Sequence, residues 1–327
     1  MKQKFTYILL CLLLAVTACT NEIGLMPDNE PSKLIVNALL SADGARNRIY
    51  LHRSGWAEAT EVTDGIIRLY INGTMAETIT ARPATEEETG KAFYEVKSRF
   101  HTGDQVKLEA ENGNKTLYAE AETTVEAPLE VKLDTVGIEI NTSWGGVSRM
   151  LQIKMDLKAP QRDRCYRLDI TRTYIAQVTN TETQTDSVYR IDYKDFNGSN
   201  DVALTDGQPN NNNSDGGIEL FPPWTNYFSI FNDAFFKQGY YTMTITAGYP
   251  SVGYLPDYTI KNETSFIDVQ LVSISAQEYQ YLKAICLHAD ADSGSPIENP
   301  VIIPNHIKYG IGIFAIENSI NHHISIK

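Results

Sequence analysis

The chain is poor in cysteine, in positive charge and in recognisable chemistry. Four cysteines occur in 327 residues, at 11, 19, 165 and 286, too few for a disulfide scaffold or a cysteine metal quartet. There is no Gly-x-Ser-x-Gly, His-Glu-x-x-His, Cys-x-x-Cys or Walker sequence, so the usual local marks of a serine hydrolase, zinc peptidase, dithiol enzyme or P-loop enzyme are missing. Six histidines, at 52, 101, 288, 306, 322 and 323, are scattered. Lys and Arg number 28 against 41 Asp and Glu, for a net charge of −13. So acidic a chain repels nucleic acid and anionic lipid.

Long apolar runs are also lacking. The one at the start, Tyr7 to Val16, falls short of the roughly 20 residues that a bilayer span needs. Lys2 and Lys4 precede it, and small residues lead to a cysteine in Val16-Thr17-Ala18-Cys19. That is the layout of a secretory leader ending in a bacterial lipobox. The reading is a signal peptide over 1–18 and a lipid on Cys19, the new N-terminus. Removing the leader leaves 309 of the 327 residues and a net charge of −15, since Lys2 and Lys4 go with it. Residues 19–32, polar and carrying Pro27 and Pro31, read as a tether. The sequence leaves open whether Cys165 and Cys286 form a bridge.

What the chain has in abundance is short alternating segments. The runs 33–41, 47–55, 65–73, 91–100, 105–113 and 115–125 alternate apolar with polar residues between Gly, Asn and Asp, the signature of a β-sandwich. Asn72-Gly73 and Asn112-Gly113 each read as a hairpin turn in which positive φ is cheap. The acidic stretch 82–90 reads as a solvated loop. A first domain therefore spans 33–127, closed by Ala127-Pro128. A second, 128–327, carries the runs 135–140, 149–157, 165–178, 186–193, 240–249 and 265–274. It also carries a long irregular insert, 194–238. In β-spacing, Tyr166, Leu168 and Ile170 share one face and Cys165, Arg167 and Asp169 the other. The expected class is mainly β: two antiparallel sandwich-like (Ig-like) domains, with one helix packed on the second.

That helix is expected over 276–289. Ser275-Ala276-Gln277-Glu278 has the form of a capping box, and Leu282, Ile285, Cys286 and Ala289 recur at helical spacing. The succession SISAQEYQYLK (273–283) and ENPVIIPNHIKYGIGIF (298–314) resembles the end of a Bacteroidetes lipoprotein family, domain-of-unknown-function family 4249. PSKLIVNALLS after the tether, the RLYINGT hairpin and FNDAFFKQG (231–239) extend the resemblance over nearly all of the mature chain. His306 departs from it, standing between Asn305 and Ile307 where the family more often joins Asn to Ile. The resemblance implies an exported outer-membrane lipoprotein, often associated with a TonB-dependent receptor in nutrient capture. It defines no catalytic residues. Gly310-x-Gly312 reads as a place where a strand bends or a backbone approaches closely.

The binding candidates are aromatic. Residues 222–236 gather Trp224, Tyr227, Phe228, Phe231, Phe235 and Phe236. The Phe residues are expected in the core, and Trp224, Tyr227 and Trp144 at the surface as contacts for a ligand or partner. The oxygen-rich loops 206–216 and 290–294 read as polar loops in preference to ion sites, since the distal Glu of a calcium loop is absent. No catalytic residue, metal or cofactor is expected, and the ligand is not legible. The reading is an outer-membrane lipoprotein, more on the cell surface than the periplasmic face, that serves as a binding accessory to a TonB-dependent receptor. A structural or adhesive surface lipoprotein and a surface hydrolase are the alternatives.

Overall fold

The computed structural model of the protein describes residues 31–44, 47–55, 58–82, 91–141, 147–160, 162–207, 225–250, 255–291 and 302–326. Its first part holds β1 (Leu34–Ser41), β2 (Arg48–Arg53), β3 (Thr60–Glu61), β4 (Ile66–Ile71), β5 (Thr74–Thr80), β6 (Tyr94–Glu95), β7 (Gln105–Glu111) and β8 (Tyr118–Thr124). Then follow β9 (Glu130–Asn141), β10 (Val147–Lys158), β11 (Cys165–Asn180), β12 (Asp186–Tyr193), β13 (Ile230–Asn232), β14 (Tyr240–Gly248) and β15 (Tyr258–Ile274). Helix α1 (Ala276–Ala291) and β16 (Gly310–Ile326) close the chain. The protein is mainly β with one α-helix among the described residues. That helix is not long and apolar enough to cross a membrane.

Two cores result. In the first, the sheet β5-β4-β7-β8 faces β1 and β2 across Leu34, Val36, Ile49, Ile67, Leu69 and Leu108. In the second, β14-β10-β9 faces β11 and β15 across Ile153, Met155, Tyr166, Leu168, Val269 and Leu271. The alternation read for 165–170 is the one observed, with Tyr166, Leu168 and Ile170 buried.

One long sheet, ordered β12-β11-β15-β16-β1-β2-β3, runs through both units. Its middle strand is shared. Gly310–Glu317 of β16 pairs parallel with β1, and Asn318–Ile326 pairs antiparallel with β15. The other strand pairs named here are antiparallel. Ile307, Phe314 and Ile316 thus belong to the first core, although 128–327 reads as the second domain in linear order. Distant pairing of this kind leaves no mark in local alternation. β16 also runs on to 326, past the GIGIF segment.

The glycines of that segment explain its sequence. A Cβ on Gly312 (φ +120°) would lie 2.0 Å from the Val36 carbonyl oxygen, and one on Gly310 would lie 2.7 Å from that of Leu34. The reading of a close backbone approach is correct. Asn72-Gly73 turns as expected, at φ +50° and +80°. At 112–117 the positive φ falls instead on Lys115 (+57°), and Gly113 is required by contact, since its Cβ would meet the Asp64 carboxylate at 2.4 Å. The run 91–100 forms only the two-residue β6, because Val96 and Phe100 turn inward from irregular backbone.

The register gives the molecule an axis. β1 and β16 start together at Leu34 and Gly310, beside the start of β8, where Lys308 bridges Glu120. All three run toward the seam between the units. There the Ala42 N–H donates to the Glu317 carbonyl (2.8 Å) and the Asn318 amide donates to the Glu126 carbonyl (2.8 Å). From the seam β16 continues to Ile326 beside Ser265 of β15, well into the second unit.

Candidate functional site

The alternation of β11 turns Arg167, Asp169 and Thr171 away from the core, onto a face that α1 covers only in part. β13 pairs with the start of β11, and the Leu168 N–H donates to the Ser229 carbonyl (3.1 Å). Asn226 holds the preceding loop. Its amide donates to the carbonyls of Leu204 (2.8 Å) and Ile230 (2.7 Å), and its carbonyl accepts from the Ile230 N–H (2.9 Å). Ser229 takes φ +52° to complete the bend. Between this loop and β11 lies a cleft of about 460 Å³ whose lining includes Arg167, Asp169, Lys194, Phe196, Tyr227 and Gln270. Tyr227 is 59% exposed. The cleft offers ring faces beside opposite charges, the means to hold a polar ligand with an apolar face.

Arg167 anchors its floor. The guanidinium donates to Asp169 (3.0 Å), pairs with Glu317 of β16 and lies 3.7 Å from Glu278 of α1. These carboxylates, Glu317 first, hold its proton more tightly than usual despite burial. Glu278 is fully buried, and neither carboxyl oxygen has a hydrogen-bond partner. Burial first, and then the charge of Glu317, push its pKa well above the carboxylate range; Arg167 opposes them. Half of the capping box forms: the Ser275 hydroxyl accepts from the Glu278 N–H (3.1 Å). The Glu278 side chain does not fold back to complete it; its carboxyl lies buried 3.7 Å from Arg167. The packed helix face is accordingly Glu278, Tyr279, Leu282 and Cys286, with Ala289 exposed.

Of the residues picked from the sequence, the structure places Tyr227 in this cleft; Cys19, Trp144 and Trp224 lie outside the described residues. Phe231 is buried and Phe228, Phe235 and Phe236 pack against cores as expected. Asp206, at the edge of the 206–216 loop, pairs with Lys283 (2.7 Å); residues 208–216 and 292–294 lie outside the description. Among the described residues no group of three His, Cys, Asp or Glu is placed to hold a metal. Cys165 and Cys286 are not bridged to each other, and burial pushes the Cys165 thiol up to about 12. Residues 20–320 match a family described as domain of unknown function (DUF4249). The chain belongs to that family. No curated protein matches it.

Sequence reasoning on this DUF4249 member missed two features. Arg167 looked like an ordinary solvent-facing residue of an alternating strand, and only its place opposite Glu278 in the folded chain reveals the network. The second is a cleft of about 870 Å³ between β10, β14 and β15, lined by Arg149, Tyr174, Tyr249 and Glu263. There the Tyr174 hydroxyl, 3% exposed as a residue, donates to Glu263 (2.8 Å), and Arg149 lies 5.0 Å over the Tyr249 ring. Burial first, then the Glu263 bond, push Tyr174 up to about 12. Val147 and Ser148 also line it.

Proposed function

We propose that this DUF4249 member is an outer-membrane lipoprotein, tethered by lipid on Cys19, that assists a TonB-dependent receptor in nutrient uptake by noncovalent binding. The observation that carries the binding role is the Tyr227 cleft. An exposed ring on a loop tied down by Asn226, the paired Arg167–Asp169 of β11 and Lys194 line one cleft. Such a surface suits a ligand or receptor loop with both a flat apolar face and hydrogen-bonding groups. The lipobox, the acidic surface and family membership support the envelope location. The acidic residues after Cys19, Glu22, Asp28 and Glu30, favour the cell-surface face.

Affinity purification of the lipidated protein from detergent-solubilised outer membranes tests this. An outer-membrane β-barrel should co-purify, and do so less well with Tyr227→Ala. Consistent absence of any such barrel would sink the accessory role. Protease shaving of intact cells decides the face.

A further inference from the structure

The start of the fold lies at the end of the first sandwich that points away from the second. Leu34 pairs with Gly310, and the residues just before Gly310 lie against the start of β8. Several large apolar side chains are exposed there: Ile302 (86%), Tyr309 (73%), Ile303 (43%), Ile311 (38%) and Tyr118 (37%). The rings of Tyr118 and Tyr309 are 5.9 Å apart.

This end is built to present them. Asn305 ties the 305–312 backbone with four hydrogen bonds, donating to the carbonyls of Ile307 and Gly310 and accepting from the N–H groups of Ile307 and Gly312. Tyr309 is held at φ +60°, a conformation uncommon for a bulky residue and retained where the surroundings enforce it. The result is an aromatic ring directed outward at the mouth of a fixed loop.

We propose that this pole seats on the lipid surface to which Cys19 is attached. The inference rests on the lipoprotein reading and adds an orientation to it. Only the eleven residues 20–30 separate Cys19 from Pro31, the first described residue. Even at full stretch eleven residues span no more than about 40 Å. The 17 residues of β16 carry the other end of the shared strand roughly 55 Å further away. The pole with the exposed aromatics is therefore the end of the fold nearest the anchor. Tyr and Ile suit the interface between headgroup and acyl chain. A net charge of −15 after loss of Lys2 and Lys4 makes attraction to anionic headgroups a poor alternative. The seating is thus apolar and aromatic, not electrostatic.

The test uses the protein purified from the membrane fraction of expressing cells, in phosphatidylcholine vesicles with brominated acyl chains. Ile302→Trp and Tyr118→Trp report the pole, and Tyr258→Trp, at the far end of β15, is the reference; the signal of the parent tryptophans is subtracted. Quenching at least about twofold stronger at 302 and 118 than at 258 is expected. Equal quenching in protein that floats with the vesicles overturns the seating and leaves the lipid anchor intact. So does a blue-shifted but unquenched reporter at 302, which would mean that protein covers the pole. Failure to float at all overturns the lipoprotein reading, and the seating with it. Ile302 is 86% exposed, so the reporter leaves the fold undisturbed.

Discussion

Tyr94 and Tyr166 are both fully buried, one in each core, and their hydroxyls are treated differently. That of Tyr94 accepts from the Gly65 N–H (2.9 Å) and donates to the Val62 carbonyl (2.7 Å). That of Tyr166 has no partner; its ring packs against Phe231 and Phe236, with centroids 5.3 and 6.2 Å away. The contrast extends to the neighbours. Ser273 Oγ and both Glu278 oxygens are also buried without a partner, and they lie on β15 and α1, beside β11. The first sandwich satisfies its inner tyrosine and leaves His306 Nε2 unbonded at its edge; the second leaves several polar groups without a hydrogen bond around the strand that floors the Tyr227 cleft. Unsatisfied groups of this kind lower local stability where a binding surface has to adapt.

The largest effect expected is at the strand that both sandwiches share. Gly312→Ala places a methyl 2.0 Å from the Val36 oxygen at a φ of +120°, and should cost more than about 4 kcal/mol or prevent folding. Urea unfolding and soluble yield measure it. A stable Gly312→Ala would show that β1 and β16 are not held at this register.

Next comes the pair of tyrosines. Tyr94→Phe leaves a buried N–H and carbonyl without their partner and should cost about 1–3 kcal/mol, whereas Tyr166→Phe removes an unpartnered hydroxyl and should be neutral or stabilising. Equal losses in urea unfolding would erase the contrast between the cores. Glu278→Gln sharpens it through pH. Because folding raises the pKa of Glu278, its contribution is fully present below the unfolded value near 4.5 and is lost as pH rises through the raised value. Burial sets this first and Glu317 second, with Arg167 opposing them. The parent should therefore lose stability relative to Glu278→Gln as pH rises above about 4.5, by at most about 1.4 kcal/mol per pH unit. Parallel profiles would mean that Glu278 is ionised at no cost. The smallest effect is at Tyr227→Ala, within about 0.5 kcal/mol of the parent in stability, as an exposed rim residue should be. A larger loss in urea unfolding would make Tyr227 a packing residue and not a contact.

Legibility in the sequence followed the range of the physics. Alternation along Cys165–Ile170, the Asn72-Gly73 turn and the helix after Ser275 depend on neighbours a few residues apart, and each was readable. The need for glycine at 310 and 312 was readable as close approach, but not that Leu34 and Val36, from the other end of the chain, make it. Phe231 was placed in the core by its type. Glu278 was read from its local motif as a cap, yet Arg167 and Glu317 decide its position, and both lie far from it in sequence. The Tyr227 cleft was half legible: an aromatic in a loop announces itself, whereas the Arg and Asp beside it are indistinguishable from a solvated strand face until α1 is packed nearby.

The parallel pairing of β1 with β16 also has a mechanical meaning. A pull on the N-terminal end enters the fold at Leu34 and draws β1 backward along its own length; a load on the second sandwich draws β16 forward along its length. Eight register pairs, Leu34–Gly310 through Ser41–Glu317, then resist together in shear, where an antiparallel arrangement at this point would have opened one pair at a time. Tension between the chain's start and the second sandwich is thereby carried across the arrangement of strands that yields last.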